Sequence, residues 1–189
     1  MVSFGFYELI NGENKFKHFC GGAIVGSNLV ITAAKCFFNP DVINNNQVVI
    51  RAGDECLNNT DDDTTAKDYE INEITRPYLC NGYNRQLNDV AFVYTKYEFE
   101  FNDCTKKVCL PQAPEDNMAA DSAVILNGWG FENGTYSRVN YSLKKARNQT
   151  FSKDYCAALY SQNTWCDSDI HLCTGDQVNT NFCFTLCTT

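Results

Sequence analysis

The side chains best equipped for chemistry in this 189-residue sequence are eleven cysteines, two histidines and one dense run of acids. The cysteines form no Cys-x-x-Cys pairs of the kind that hold zinc, and their long spacings are those of structural disulfides in an oxidising compartment. Their odd number leaves at least one thiol unpaired within the chain. Between Cys56 and Asp68 lies the polar stretch NNTDDDTTAK. Carboxylates clustered from Asp54 to Asp63 suit a hard cation such as Ca2+, but the spacing of an EF-hand is missing and a solvated loop is the expected role. No other cofactor or metal is implied. His18 and His171 are expected in packing or surface roles. Four Asn-x-Ser/Thr sequons, at Asn58, Asn133, Asn140 and Asn148, offer glycan acceptors. In the stretch LVITAAKCFF an apolar run ends in two alanines, and Lys35 then stands directly before Cys36.

The elements that must position these groups are mostly strands. Val2 to Leu9 and Phe16 to Val25 flank Asn11-Gly12, a tight hairpin signal. Leu29 to Thr32 is short, β-branched and apolar, as a buried strand should be. Val48 to Ala52, Tyr69 to Ile74 and Val90 to Tyr94 are further strands. Cys109-Leu110-Pro111 and the polar residues after it read as a linker, so the boundary is set there: 1–108 and 109–189. Beyond it, Ala123 to Leu126 and Leu143 to Thr150 are strands, Ser152 caps a short helix reaching Tyr160, and a brief strand starts at Thr174. Many short strands and little helix predict an all-β protein of antiparallel barrels or a sandwich.

Composition narrows the partners. Hydrophobic residues make up 44% of the chain and aromatic residues 13%, enough for a true core. A net charge of −8 argues against nucleic acid and anionic membranes, both of which attract positive surfaces. No apolar run approaches the roughly 18 residues of a membrane helix. The start, MVSFGFYELI, lacks a basic segment and a long apolar core, so no signal peptide is visible. Cysteines and sequons together favour an extracellular protein, which implies that its native chain starts ahead of Met1.

In order along the chain stand FCGGAIV from Phe19, VITAAKC from Val30, NDVAFV from Asn88, VCLP from Val108 and NGWG from Asn127, before a cysteine-rich end. This series resembles the trypsin/chymotrypsin family of serine proteases over nearly the whole chain. The resemblance implies two antiparallel β-barrels, the second incomplete at the C-terminus, with about a dozen residues absent in front and roughly fifty behind relative to the family's length. It also implies disulfides Cys20–Cys36 and Cys156–Cys173, while Cys56 and Cys80 are candidates to bridge the acidic loop.

An enzyme of this family needs a serine nucleophile, a histidine base and an aspartate that orients the base. Asp89 matches the aspartate. Lys35 stands at the histidine position, and a lysine, with a reference pKa of about 10.4, is an ammonium that donates but does not accept a proton. The resemblance implies an ion pair between Lys35 and Asp89. Cys183 to Thr189, CFTLCTT, is the best counterpart of the nucleophile motif, with Cys187 at the serine, Leu186 at the aspartate beside it and Thr185 at a glycine of the oxyanion hole. A second register sets Gln177 at the serine. The base of the substrate pocket falls at Asn181 and Phe182.

Three functions follow from the resemblance. The first is a secreted, non-catalytic homologue that binds a protein partner, a protease-cascade component or an inhibitor. The second is a truncated remnant of an active endopeptidase. The third is a hydrolase that uses Cys187 as nucleophile, its thiolate favoured by the nearby Lys35 cation; it lacks a group able to shuttle protons.

Overall fold

Strands dominate because β-branched and aromatic residues recur with alternating burial. In the computed structural model the residues described are 1–38, 47–57, 65–76, 89–112, 120–130, 141–160, 172–175 and 181–182. The chain divides into two compact units. One comprises Met1–Pro77, Val90–Cys109 and Gly128–Lys144; the other comprises Tyr78–Asp89, Leu110–Asn127 and Lys145–Thr189.

The first unit is a closed antiparallel barrel of six strands: β1 (Val2–Ile10), β2 (Glu13–Ile24), β3 (Leu29–Thr32), β4 (Val49–Ala52), β5 (Lys67–Thr75) and β6 (Ala91–Thr95). Their order around the barrel is β1-β2-β3-β6-β5-β4, and the β1–β4 pairing from Val2↔Ala52 to Gly5↔Val49 closes it. Closure leaves this sheet without an edge to recruit other chains. Asn11 (φ 53°) and Gly12 (φ 84°) turn the β1–β2 hairpin with the two left-handed residues that a type I′ turn requires. The β1–β2 register slips between Phe4 and Gly5. A Cβ on Gly5 would lie 2.3 Å from the Phe16 ring and 2.6 Å from the Lys17 carbonyl, so only glycine fits there.

Successive strand residues point to opposite faces, and both faces are used. Inside the barrel Val2, Phe4, Ile24, Val30, Ile50, Ala91 and Val93 are fully buried, each larger side chain contributing roughly 1.5–3 kcal/mol. Val49, the neighbour of Ile50, points the other way into a second cluster with Phe16, Leu57 and Trp129. Residues 141–143 and Trp129 cover this outer wall. Leu57 N–H donates to the Tyr141 carbonyl (3.0 Å), and Leu143 N–H to that of Glu55 (2.7 Å).

The second unit contains a four-stranded sheet ordered β10-β9-β8-β7, from β7 (Ala123–Gly128), β8 (Lys144–Thr150), β9 (Thr174–Gly175) and β10 (Asn181–Phe182), with helix α1 (Lys153–Tyr160). Thr150 is fully buried and fastens the turn before β7: its N–H donates to the Ser122 carbonyl and its hydroxyl accepts from Ser122 N–H, both at 2.9 Å. Ser152 caps α1 as its type and place anticipate, its hydroxyl accepting from Tyr155 N–H at 3.2 Å.

Candidate functional site

β3 reaches its end at Thr32, whose buried hydroxyl donates to the Gly21 carbonyl of β2 at 2.7 Å and lies 3.8 Å from the Cys36 sulfur. After extended Ala33 the chain makes one 3₁₀ turn, Ala34–Phe37. Three anchors fix this turn. Cys36 is bonded to Cys20 of β2, closing a loop of sequence separation 16 that contributes about 3 kcal/mol by restricting the unfolded chain. Ala34 and Phe37 are buried, and Phe37 meets Phe4 edge-on at 5.5 Å between centroids. Between these anchors Lys35 is exposed. The anchored turn therefore presents Lys35 at the surface.

Thr32 is the cross-strand partner of Ala91 in β6, so β3 ends where β6 begins. Asp89 stands two residues ahead of Ala91 and is only 4% exposed. A buried carboxylate needs charge or hydrogen-bond compensation, and Asp89 is not without partners.

The remaining sequence candidates divide by place. Cys156 of α1 is bonded to Cys173, which leads into β9, and Phe151 N–H donates to the Cys173 carbonyl at 3.0 Å. Asn181 and Phe182 form β10, paired with Gly175 and Thr174. Cys56 is half-buried, its sulfur 3.8 Å from the Ser142 hydroxyl. Asp54, at the head of the acidic stretch, turns its buried carboxylate to Arg51 Nη1 (3.5 Å) and to the backbone N–H of Cys56 (2.8 Å). Cys187, Cys80, Asn58, Asn133, Asn140 and most of the acidic loop lie outside the described residues. Among the described residues no three acidic, histidine or cysteine side chains converge as a metal site would require.

Asn148 sits in β8, half-buried, with its side-chain amide donating to the Thr174 hydroxyl at 3.4 Å, and the hydroxyl of its sequon, on Thr150, is buried. A glycan would have to displace that contact. Mass spectrometry of the protein expressed through a secretory pathway should find Asn148 unmodified; a glycan on most molecules at this residue would contradict the pairing of β8 with β9.

A cavity of about 470 Å³ opens on the barrel wall among Tyr7, Gln47, Val49, Asp68 and Glu70, none of them a triad position. Two groupings had no signature in the sequence. One is Arg51 with Asp54, Asp68 and Tyr7; the other is Ser3 with His18, hydrogen-bonded at 2.7 Å between Oγ and Nδ1.

Comparison with known proteins agrees with this architecture. The chain is 28% identical over 159 residues to an ovochymase of Halocynthia roretzi, covering 79% of this chain and 10% of that protein. It is 28% identical to a venom serine protease of Polistes dominula (80% of this chain, 55% of that one). It is also 28% identical to an inactive CLIP domain-containing serine protease, A28, of Anopheles gambiae (74% and 34%). The chain thus spans from a tenth to just over half of the length of these relatives. Among solved structures it is similar to neuropsin, a serine protease of mouse brain, with a TM-score of 0.73 at 19% identity over 96% of this chain and 71% of that one. The sequence model of the trypsin family matches residues 3–184, and the chain belongs to that family of serine proteases.

Proposed function

We propose that this domain is a non-catalytic, secreted member of the family that binds a protein partner in a proteolytic cascade. The observation that carries this reading is Lys35 at the family's histidine position. It is exposed on a turn held by Cys20–Cys36, where an ammonium donates a proton but does not take one from a nucleophile. Cys187, Leu186 and Thr185 in place of serine, aspartate and glycine point the same way, as does the similarity to a relative whose name includes the word inactive. Two disulfides support secretion.

The test is hydrolysis of a broad peptide library by the purified chain and by a Lys35→His, Cys187→Ser double variant. Neither is expected to exceed the uncatalysed rate, whereas the chain in excess should change the cleavage of a protein substrate by an active family protease. Turnover by the natural chain that disappears in Cys187→Ala would overturn the proposal and make Cys187 a nucleophile.

A further inference from the structure

The outer wall of the barrel carries a histidine that no catalytic scheme uses. His18 lies on β2 two residues after Phe16 and so shares its face. Its ring is hydrogen-bonded to fully buried Ser3 of β1 and lies 5.5 Å from the Trp129 indole, tilted by 56°. Trp129 is 4% exposed, and its Nε1–H has no hydrogen-bond partner among the described residues. We propose that His18 is a protonation-controlled latch: its neutral ring, wedged between Ser3 and Trp129, holds Trp129 and residues 141–143 on the barrel wall, and protonation releases them.

A neutral imidazole satisfies the Ser3 hydroxyl with one nitrogen, as donor or acceptor. An imidazolium must donate from both nitrogens, and the indole N–H is itself only a donor. Attraction between a cation and the indole would offset part of this. Burial outweighs it and pushes His18 down to about 4. The charged side chains on the elements packed around it are Glu8 on β1, Glu13, Lys15 and Lys17 on β2, Arg51 on β4 with Asp54 and Glu55 after it, and Lys144 beyond residues 141–143. Glu8 pairs with Lys17, Glu13 with Lys15, and Arg51 with Asp54 and Asp68.

The sign follows from linkage. The latched ring binds its proton near pH 4 and the released ring near its ordinary 6.5. Latching is therefore at full strength above pH 6.5, weakens as pH falls toward 4, and changes no further below. The full shift corresponds to roughly 300-fold in the latching equilibrium, and partial solvent screening lowers this to between roughly 30- and 300-fold.

The experiment uses a Trp165→Phe background, which leaves Trp129 as the sole tryptophan. Between pH 8 and 4 its emission should shift to the red, with a midpoint between 4 and 6.5. The amides of Leu57 and Leu143, corrected for intrinsic exchange, should lose protection selectively, while barrel amides such as Ile50 keep theirs. His18→Phe retains a ring but cannot titrate, and should abolish both changes. A flat emission profile, or an unchanged midpoint in His18→Phe, overturns the latch. Should that variant not fold, exchange in the Trp165→Phe protein decides: uniform loss at all three amides, or no loss, overturns it equally. The outcome does not depend on whether the domain is catalytic.

Discussion

Phe4→Ala is expected to destabilise the protein by about 3–5 kcal/mol, a large share of the 5–15 kcal/mol that holds a typical domain folded. Phe4 is fully buried on β1, the strand bonded to β2 on one side and to β4 on the other. It cannot be replaced by local collapse. A Cβ placed on Gly22 would come within 2.8 Å of the Phe4 ring and 2.7 Å of Val30, so the backbone already presses against it and cannot close further onto an empty space. The edge-on contact with Phe37 adds about 0.5–1.5 kcal/mol, and Phe37 belongs to the turn that carries Lys35 and Cys36. The cavity would thus open beneath the turn that carries Lys35. Equilibrium urea denaturation with disulfides intact measures the loss. Leu9→Ala, on a side chain 70% exposed at the far end of the same strand, should change stability by less than about 0.5 kcal/mol. A loss for Phe4→Ala as small as that for Leu9→Ala would show that β1 does not organise the core.

What could be read in advance depended on how local each signal was. Leu29–Thr32 was legible to the residue because a buried, β-branched strand has no polar extension. β2 was expected from Phe16 but begins at Glu13, since Glu13, Asn14 and Lys15 are exposed and pair with Ile10, Leu9 and Glu8 through backbone bonds alone. Hydrophobic patterning sees only the buried part of such a hairpin. β5 extends beyond Tyr69 to Ile74 for the same reason, starting at exposed Lys67. Cys20 and Cys36 sit in short recognisable strings, and the structure joins them, as it joins Cys156 to Cys173. The grouping of Arg51 with Tyr7, 44 residues away, and of Ser3 with His18, 15 away, arises only from strand pairing. Likewise no local feature announces that Gly128–Lys144 joins the first unit, because its docking residues, Trp129, Tyr141 and Leu143, are ordinary apolar side chains.

Arg51→Ala should cost a comparable 3–5 kcal/mol, by an electrostatic rather than a packing route. The Arg51 guanidinium, 12% exposed, donates to both oxygens of Asp68 (2.8 and 3.1 Å), to Asp54 (3.5 Å) and to the Tyr7 hydroxyl, and it lies 4.1 Å from the centroid of the Phe16 ring. Burial by itself would push this guanidinium down, but the hydrogen bonds and charge of Asp68, with Tyr7 and Asp54 behind it, hold it above its ordinary value. The dependence runs the other way as well. Asp54, with its side chain 2% exposed, loses the cation facing it when Arg51 is removed, and a buried charge stripped of its counter-charge is the costly product. Charge and shape can be separated. Arg51→Met retains the stem over Phe16 and should lose nearly as much as Arg51→Ala, whereas Arg51→Lys, which keeps the charge without the planar fork, should lose about half. Adding Asp54→Asn to Arg51→Met should recover stability, because the amide needs no cation. A coupling of at least about 1 kcal/mol in that double-mutant cycle is expected, and additivity would mean that the carboxylate's other contacts, not Arg51, compensate its burial.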